Sequence, residues 1–111
     1  MDGEPAGDWH FELRDRLARL HATGLEALGD ALLADGRYED AASASERLVQ
    51  QEELHEAAYR SLMIARARAG DRTGAMREYR RLEAVLRREL EVEPQGETNA
   101  VFRRVQRGER I

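Results

Sequence analysis

Few side chains in this sequence could carry covalent or metal chemistry. The 111 residues include three histidines, His10, His21 and His55, and no cysteine. All 18 residues of the Lys and Arg class are arginine. Without cysteine there is no thiol nucleophile, no disulfide framework and no thiolate zinc site. Without lysine there is no Schiff-base amine and no phosphate-gripping lysine of a P-loop. The histidines are 11 and 34 residues apart, which matches no common zinc-ligand spacing. No Gly-x-Ser-x-Gly, Gly-x-Gly-x-x-Gly or His-Glu-x-x-His run occurs. No catalytic residue, cofactor site or metal site is therefore assigned, and a non-enzymatic role is expected. His55 stands beside Glu52, Glu53 and Glu56. That setting reads either as a pH-sensitive contact or as a polar residue in an acidic first helical turn, where carboxylates suit the positive end of the helix dipole.

The elements that must position any site are helical. Apolar residues make up 41% of the chain and charged residues 36%, a balance that folds rather than stays disordered. Aromatics are 5%, too few for a β-sandwich or barrel. Trp9, Leu13, Leu17, Leu20, Gly24, Leu28, Ala31 and Leu32 trace a first helical stripe over about 9–34, stopped at Asp35-Gly36. A second helix fits 38–50, with Tyr38, Ala41, Ala42, Ser45, Leu48 and Val49 inward. A third fits 53–69, with Leu54, Ala58, Leu62, Ala65 and Ala69 inward and a stop at Gly70. In the fourth, Ala75, Tyr79, Leu82, Leu86 and Leu90 step by 4, 3, 4 and 4 residues. That stripe stays within about 80° on a helical wheel. Pro94 and Gly96 break it, and a short last helix over about 98–107 buries Val101, Phe102 and Val105. Nothing alternates with period two, so no strand is assigned. Trp9 reads as a cap over one end of the core. Tyr38, Tyr59 and Tyr79 could line a ligand site, but their helical spacing favours the core.

The helices repeat. Gly36 and Gly70 are 34 residues apart, as are Ala41 and Ala75, Leu48 and Leu82, Ala31 and Ala65, and Leu28 and Leu62. Thirty-four residues is the period of tetratricopeptide units, one helix–turn–helix each. In each copy a glycine ends one helix and a small alanine five residues later lets the next approach closely. The expected fold is all-α: a tetratricopeptide-like stack of about two helix pairs plus a C-terminal capping helix. Residues 1–8 are expected to be a disordered polar N-terminus, 9–107 the domain and 108–111 a tail. The opening stretch Met1 to Asp8 is acidic and polar, unlike a signal peptide, and no apolar run approaches the ~20 residues of a membrane span. A cytoplasmic protein without membrane contact is expected.

Three segments carry a resemblance. They are His55-Glu56-Ala57-Ala58-Tyr59-Arg60-Ser61-Leu62-Met63, then Ala69-Gly70-Asp71-Arg72-Thr73-Gly74-Ala75-Met76-Arg77-Glu78-Tyr79-Arg80-Arg81-Leu82, then Leu86-Arg87-Arg88-Glu89-Leu90-Glu91-Val92-Glu93-Pro94-Gln95-Gly96-Glu97-Thr98. In order and spacing the chain, from Trp9 to about Gln106, resembles the bacterial transcriptional activator domain. That is the tetratricopeptide-like domain that follows a winged helix in antibiotic-pathway regulatory activators. Members of the family commonly carry an Asp-Pro step before the third helix, where this chain has Gln51-Glu52-Glu53-Leu54. The winged helix that makes the family's DNA contacts is absent from this chain. The resemblance implies a non-catalytic regulatory and protein-interaction domain. It would pack against a winged-helix domain of the same polypeptide, a second copy or RNA polymerase, and meet DNA only indirectly. The paired heads of such activators imply a homodimer. The alternative is a free-standing adaptor that holds a protein or peptide in its groove.

Charge marks two candidate surfaces. Residues 1–60 carry 14 acids and 6 arginines, whereas residues 61–111 carry 8 acids and 12 arginines. With Ala75 as origin, Arg87 and Arg80 fall near about 120° and 140°, and Arg77, Arg88 and Arg81 near about 200°, 220° and 240°. The five lie opposite the apolar stripe. They could grip phosphate or an acidic partner, or form a solvated face with Glu78–Arg81 and Glu83–Arg87 as local pairs. Helices one and three would line the concave groove of the stack, with Glu26, Asp30, Arg60, Arg66 and Arg68 as the candidate residues.

Overall fold

The computed structural model describes residues 4–111, with side chains from His10 onward. Five helices follow one another: α1 (Glu4–Ala34), α2 (Tyr38–Gln51), α3 (Glu56–Arg68), α4 (Arg72–Leu90) and α5 (Gly96–Gln106). There is no strand among the described residues. Each helix packs on the next, and α3 also touches α1 and α5. The result is a tetratricopeptide-like stack of antiparallel pairs, 62 × 34 × 18 Å.

The chain reverses where the local chemistry requires it. Gly36 and Gly70 follow α1 and α3 at φ of 78° and 90°, a region open to glycine at no steric cost. The repeated glycines of the sequence are thus the repeated helix stops. Asp71 caps α4, its Oδ1 accepting from the Gly74 amide at 2.9 Å. His55 caps α3, its Nδ1 accepting from the Ala58 amide at 3.2 Å. Helix α3 therefore starts at Glu56, three residues later than its periodicity predicts, and Glu52–His55 form the turn. Helix α4 stops at Leu90 because Glu91 adopts the left-handed conformation at φ 53°, before Pro94 is reached.

Two apolar clusters hold the stack. The larger joins α1, α2, α3 and the second half of α4 through Leu25, Leu48, Val49, Tyr59, Leu62, Leu82 and Leu86. The smaller joins α3, α4 and α5 through Met63, Ala75, Tyr79, Phe102 and Val105. In it the Tyr79 and Phe102 rings stack at 4.0 Å between centroids. Tyr59 and Tyr79 are both buried, as their spacing predicts, while Tyr38 is half-buried.

The first helix departs from its predicted register. It starts at Glu4, inside the stretch expected to be disordered, and its buried face is Ala22, Leu25 and Gly29 with Leu32 and Leu33 beside them. The predicted stripe of Leu17, Leu20 and Leu28 faces outward, as do Gly24 and Ala31. Small residues explain the choice. A Cβ on Gly29 would lie 3.3 Å from Ser45 Oγ, so α1 and α2 meet where there is least side chain. Trp9, read as a cap, lies outside the described side chains. Leu54, Ala69 and Leu90, also predicted inward, are exposed: Leu54 lies in the turn before α3, Ala69 caps the end of α3 and Leu90 is the last residue of α4.

The same replacement should have opposite signs at two glycines. Gly24→Ala sits on an exposed helical face with nothing within 4 Å of the new Cβ, and should stabilise by up to about 1 kcal/mol. Gly70→Ala also meets no neighbour but must hold φ 90°, and should destabilise by about 1–2 kcal/mol. Thermal melts of the two variants read both signs directly.

Candidate functional site

The predicted arginine face of α4 divides in two. Arg77, Arg80, Arg87 and Arg88 are exposed and form one outward strip. Arg80, Arg87 and Arg88 border a shallow depression of about 370 Å³ with Glu83 and Ala84, and Arg77 and Arg80 border a second with Thr73 and Met76. Arg80 lies over the Phe102 ring at 5.5 Å and has Glu83 at 3.7 Å. Arg88 bonds Glu53 Oε1 at 3.0 Å and Glu89 Oε2 at 2.8 Å. Of the local pairs the sequence suggested, Glu78–Arg81 is present at 3.3 Å.

Arg81 is the member that turns inward. It donates to Glu46 of α2 at 3.0 Å and to Glu78 at 3.3 Å, and its guanidinium covers the Tyr59 ring at 5.8 Å. Arg66 of α3 reaches the same two carboxylates, Glu78 at 3.0 Å and Glu46 at 3.6 Å. Glu78 is only 6% exposed, so its charge is matched by two guanidinium groups rather than by water. Burial works against the Arg81 charge, but the bonded Glu46 carboxylate and the nearby Glu78 hold its pKa above the ordinary value. Beneath it the Tyr59 hydroxyl donates to the Glu53 carbonyl at 2.9 Å. Burial raises the Tyr59 pKa, Arg81 opposes the rise, and Glu53, Glu78 and Glu46 add to it. These four ionic side chains fasten three helices. The apolar periodicity of the sequence gives no sign of them.

The five predicted groove residues do not form one lining. Of the five, Arg66 alone borders a depression of about 600 Å³, with Glu39, Ser43, Glu46, Arg47, Gln50 and Asp71. Arg60 holds the start of α5, donating to Gln95 Oε1 and Thr98 Oγ1 at 3.0 Å each. Glu56 completes that clamp by accepting from the Gln95 amide at 2.6 Å and the Thr98 hydroxyl at 2.7 Å. Arg68 donates to the Ile111 carbonyl at 3.1 and 3.2 Å and so ties down residues 108–111, the predicted tail. Glu26 approaches His55 Nε2 at 3.7 Å, and Asp30 is exposed. His55 is thus a helix cap flanked by Glu26 and Glu52, the latter at 3.9 Å. His21 shares a 3.1 Å hydrogen bond with Gln51. Among the described residues no group of three His, Asp or Glu side chains could hold a metal ion.

The arrangement is one of surfaces on a helical stack, and the family comparison agrees with it. The profile of the bacterial transcriptional activator domain matches residues 1–106. The chain belongs to this family. The family is a regulatory one and not an enzyme family, so the domain is associated with transcriptional activators. No curated protein and no solved structure matches the chain significantly. No helix among the described residues of this activator domain is long and apolar enough to cross a membrane.

Two variants separate the fold's polar fastening from its surface. Glu78→Ala leaves Arg66 and Arg81 sharing Glu46 alone and should cost about 1–3 kcal/mol by denaturant unfolding. Tyr59→Phe loses the bond to the Glu53 carbonyl and should cost about 1 kcal/mol at neutral pH. The folded state holds the Tyr59 proton more tightly than the unfolded chain. The stability this contributes is full below the ordinary value of 10.0 and is lost as pH rises through the folded pKa. The gap between wild type and Tyr59→Phe should therefore narrow in melts taken above pH 10.

Proposed function

We propose that this chain is the non-catalytic protein-interaction domain of a cytoplasmic transcriptional activator, and that its α4 strip docks on an acidic protein surface. The transcriptional role rests on the family match over residues 1–106. The observation that supports the surface is the separation within the arginine set. Arg81 is taken up by the fold, whereas Arg77, Arg80, Arg87 and Arg88 stay exposed on one side of a rigid 19-residue helix. A fixed row of guanidinium groups suits bidentate recognition of carboxylates and speeds encounter with a surface of opposite charge. RNA polymerase, or a winged-helix domain acting with this one, is the partner that such a docking face would serve. DNA would be reached through that partner.

The depression of about 600 Å³ beside Arg66 supports a second reading, a groove for an extended peptide. It carries both signs of charge, Glu39, Glu46 and Asp71 against Arg47 and Arg66, so a mixed-charge segment would fit it.

The test replaces Arg77, Arg80, Arg87 and Arg88 together by Gln in the intact regulator and leaves Arg81 in place. Promoter activation should fall about tenfold or more, with thermal stability of the domain nearly unchanged. Unchanged activation would sink the docking reading.

A further inference from the structure

Residues 107–111 lie past the stretch that the family profile matches, and the chain folds them back onto the stack. Gly108 makes the reversal at φ 72°. Its amide bonds the Val105 carbonyl at 3.0 Å, and the Glu109 amide bonds the Arg104 carbonyl at 2.9 Å. Arg72 of α4 fixes the point from which the segment leaves, donating to the Val105 carbonyl at 2.8 Å and to the Gln106 carbonyl. Beyond that point the hold is slight. Arg104 reaches the Arg110 carbonyl, and Glu109 pairs with Arg104 and Arg107 of its own turn. Across the gap to α3 the one hydrogen-bonded tie among the described residues is at Ile111. Its main-chain oxygen accepts from Arg68 Nε at 3.2 Å and Nη2 at 3.1 Å. Its side chain, half-buried, packs with Ala67 against the smaller apolar cluster.

The place this segment fills is larger than the segment. Tyr38 at the start of α2, with Ala67 and Arg68 at the end of α3, borders a depression of about 550 Å³ whose other wall is residues 108–111. That volume is in the range of sites for ligands of several residues or rings. Tyr38 also differs from the other two tyrosines. The Tyr59 hydroxyl donates to the Glu53 carbonyl and the Tyr79 hydroxyl to Asn99, whereas the Tyr38 hydroxyl makes no hydrogen bond among the described residues. The site thus combines an arginine fork on a main-chain oxygen, an apolar seat for one side chain and a half-buried tyrosine with its hydroxyl unused. Main-chain bonds hold an extended segment whatever its sequence, and a side-chain seat selects among sequences.

We infer that Tyr38, Ala67 and Arg68 form a recognition site for an extended peptide carrying an aliphatic residue, and that residues 108–111 occupy it in cis as a releasable strap. The seat of Ile111 specifies the aliphatic residue, and the Arg68 fork on its main-chain oxygen specifies open chain rather than helix, whose own bonds use that oxygen. Release undoes no helix, because the hinge is Gly108 and Arg72 holds the end of α5 on the near side of it. A peptide in trans then competes with a tethered copy of the motif. Its apparent affinity is lowered by the fraction of time that the strap is seated. The site shares no residue with the depressions along α4 or with the one beside Arg66. It is a second contact of this domain, and a regulated one.

The probe is the capped peptide acetyl-Arg-Gly-Glu-Arg-Ile-amide, the sequence of residues 107–111, titrated into the isotope-labelled 111-residue chain and followed by NMR. Ile111→Ser removes the side chain from its seat. Amide relaxation should then show residues 108–111 mobile and α5 unchanged, with the melting temperature nearly that of wild type. The peptide should shift the amides of Tyr38, Ala67 and Arg68, and should bind the Ile111→Ser chain at least about tenfold more tightly than wild type. The same peptide with Ser in place of Ile should bind about tenfold more weakly or worse. In the Ile111→Ser chain, Arg68→Gln should weaken the peptide about tenfold, and Tyr38→Phe about threefold with no change in melting temperature. Equal binding to wild type and Ile111→Ser overturns the strap, and binding to neither overturns the site. Loss of α5 order in Ile111→Ser also overturns the inference, since residues 108–111 would then be part of what holds the fold.

Discussion

The stack depends on a carboxylate that the solvent barely reaches. Glu78 sits on the inner side of α4 and would be costly there if left alone. Arg66 from α3 and Arg81 from α4 both bond it, and both also approach Glu46 of α2. One polar knot thereby sets the relative position of three helices at mid-height. Apolar contacts are tolerant of small slips, since leucine against leucine packs in several registers. A four-member ionic network with fixed guanidinium geometry is not. The knot also decides what is left for function: Arg66 and Arg81 are taken up by the fold, and the exposed row on α4 is the remainder.

Much of the uneven charge of the chain is absorbed in the same way. The acids of the first half and the arginines of the second meet across the stack. Glu46 pairs with Arg81, and Glu53 pairs with Arg88. Each pair is separated by 35 residues, one repeat and one position more. The asymmetry is partly an imprint of helix α2 and its turn packing on α4. Arg77, Arg80 and Arg87 have no such partner one repeat back, and Arg88, though paired with Glu53, stays exposed beside them.

The sequence makes α2 to α5 legible because large residues and glycine stops agree there. Leu48, Leu62, Leu82 and Leu86 are buried where their periodicity puts them, and Gly36 and Gly70 end helices at positive φ. Helix α1 is misread for a physical reason. It has an apolar stripe on each of two faces, and the one with the larger side chains is outside. The buried face is selected by how closely α2 can approach, which favours Ala22 and Gly29 over Leu28. Hydrophobic periodicity weighs side chains by size and therefore points the wrong way. The groove candidates fail for another reason. Arg60 and Arg68 have a helical position that suits an open groove, but α5 and residues 108–111 return to occupy it. That return depends on contacts 38 and 43 residues away, beyond any local pattern.

A stack of helix pairs has two flanks, and each must end in something other than another repeat. Here α5 closes one flank by placing Phe102 against Tyr79 and Val105 in the smaller cluster. Thr98, fully buried, is clamped between Glu56 and Arg60, so the closure is polar at its start and apolar along its length. The opposite flank is α1, and its outer face carries leucines where a terminal helix of a finished stack carries charge. Leu17, Leu20 and Leu28 on that face are 55%, 62% and 49% exposed. The fold of this activator domain is closed by its own chain on the α5 side.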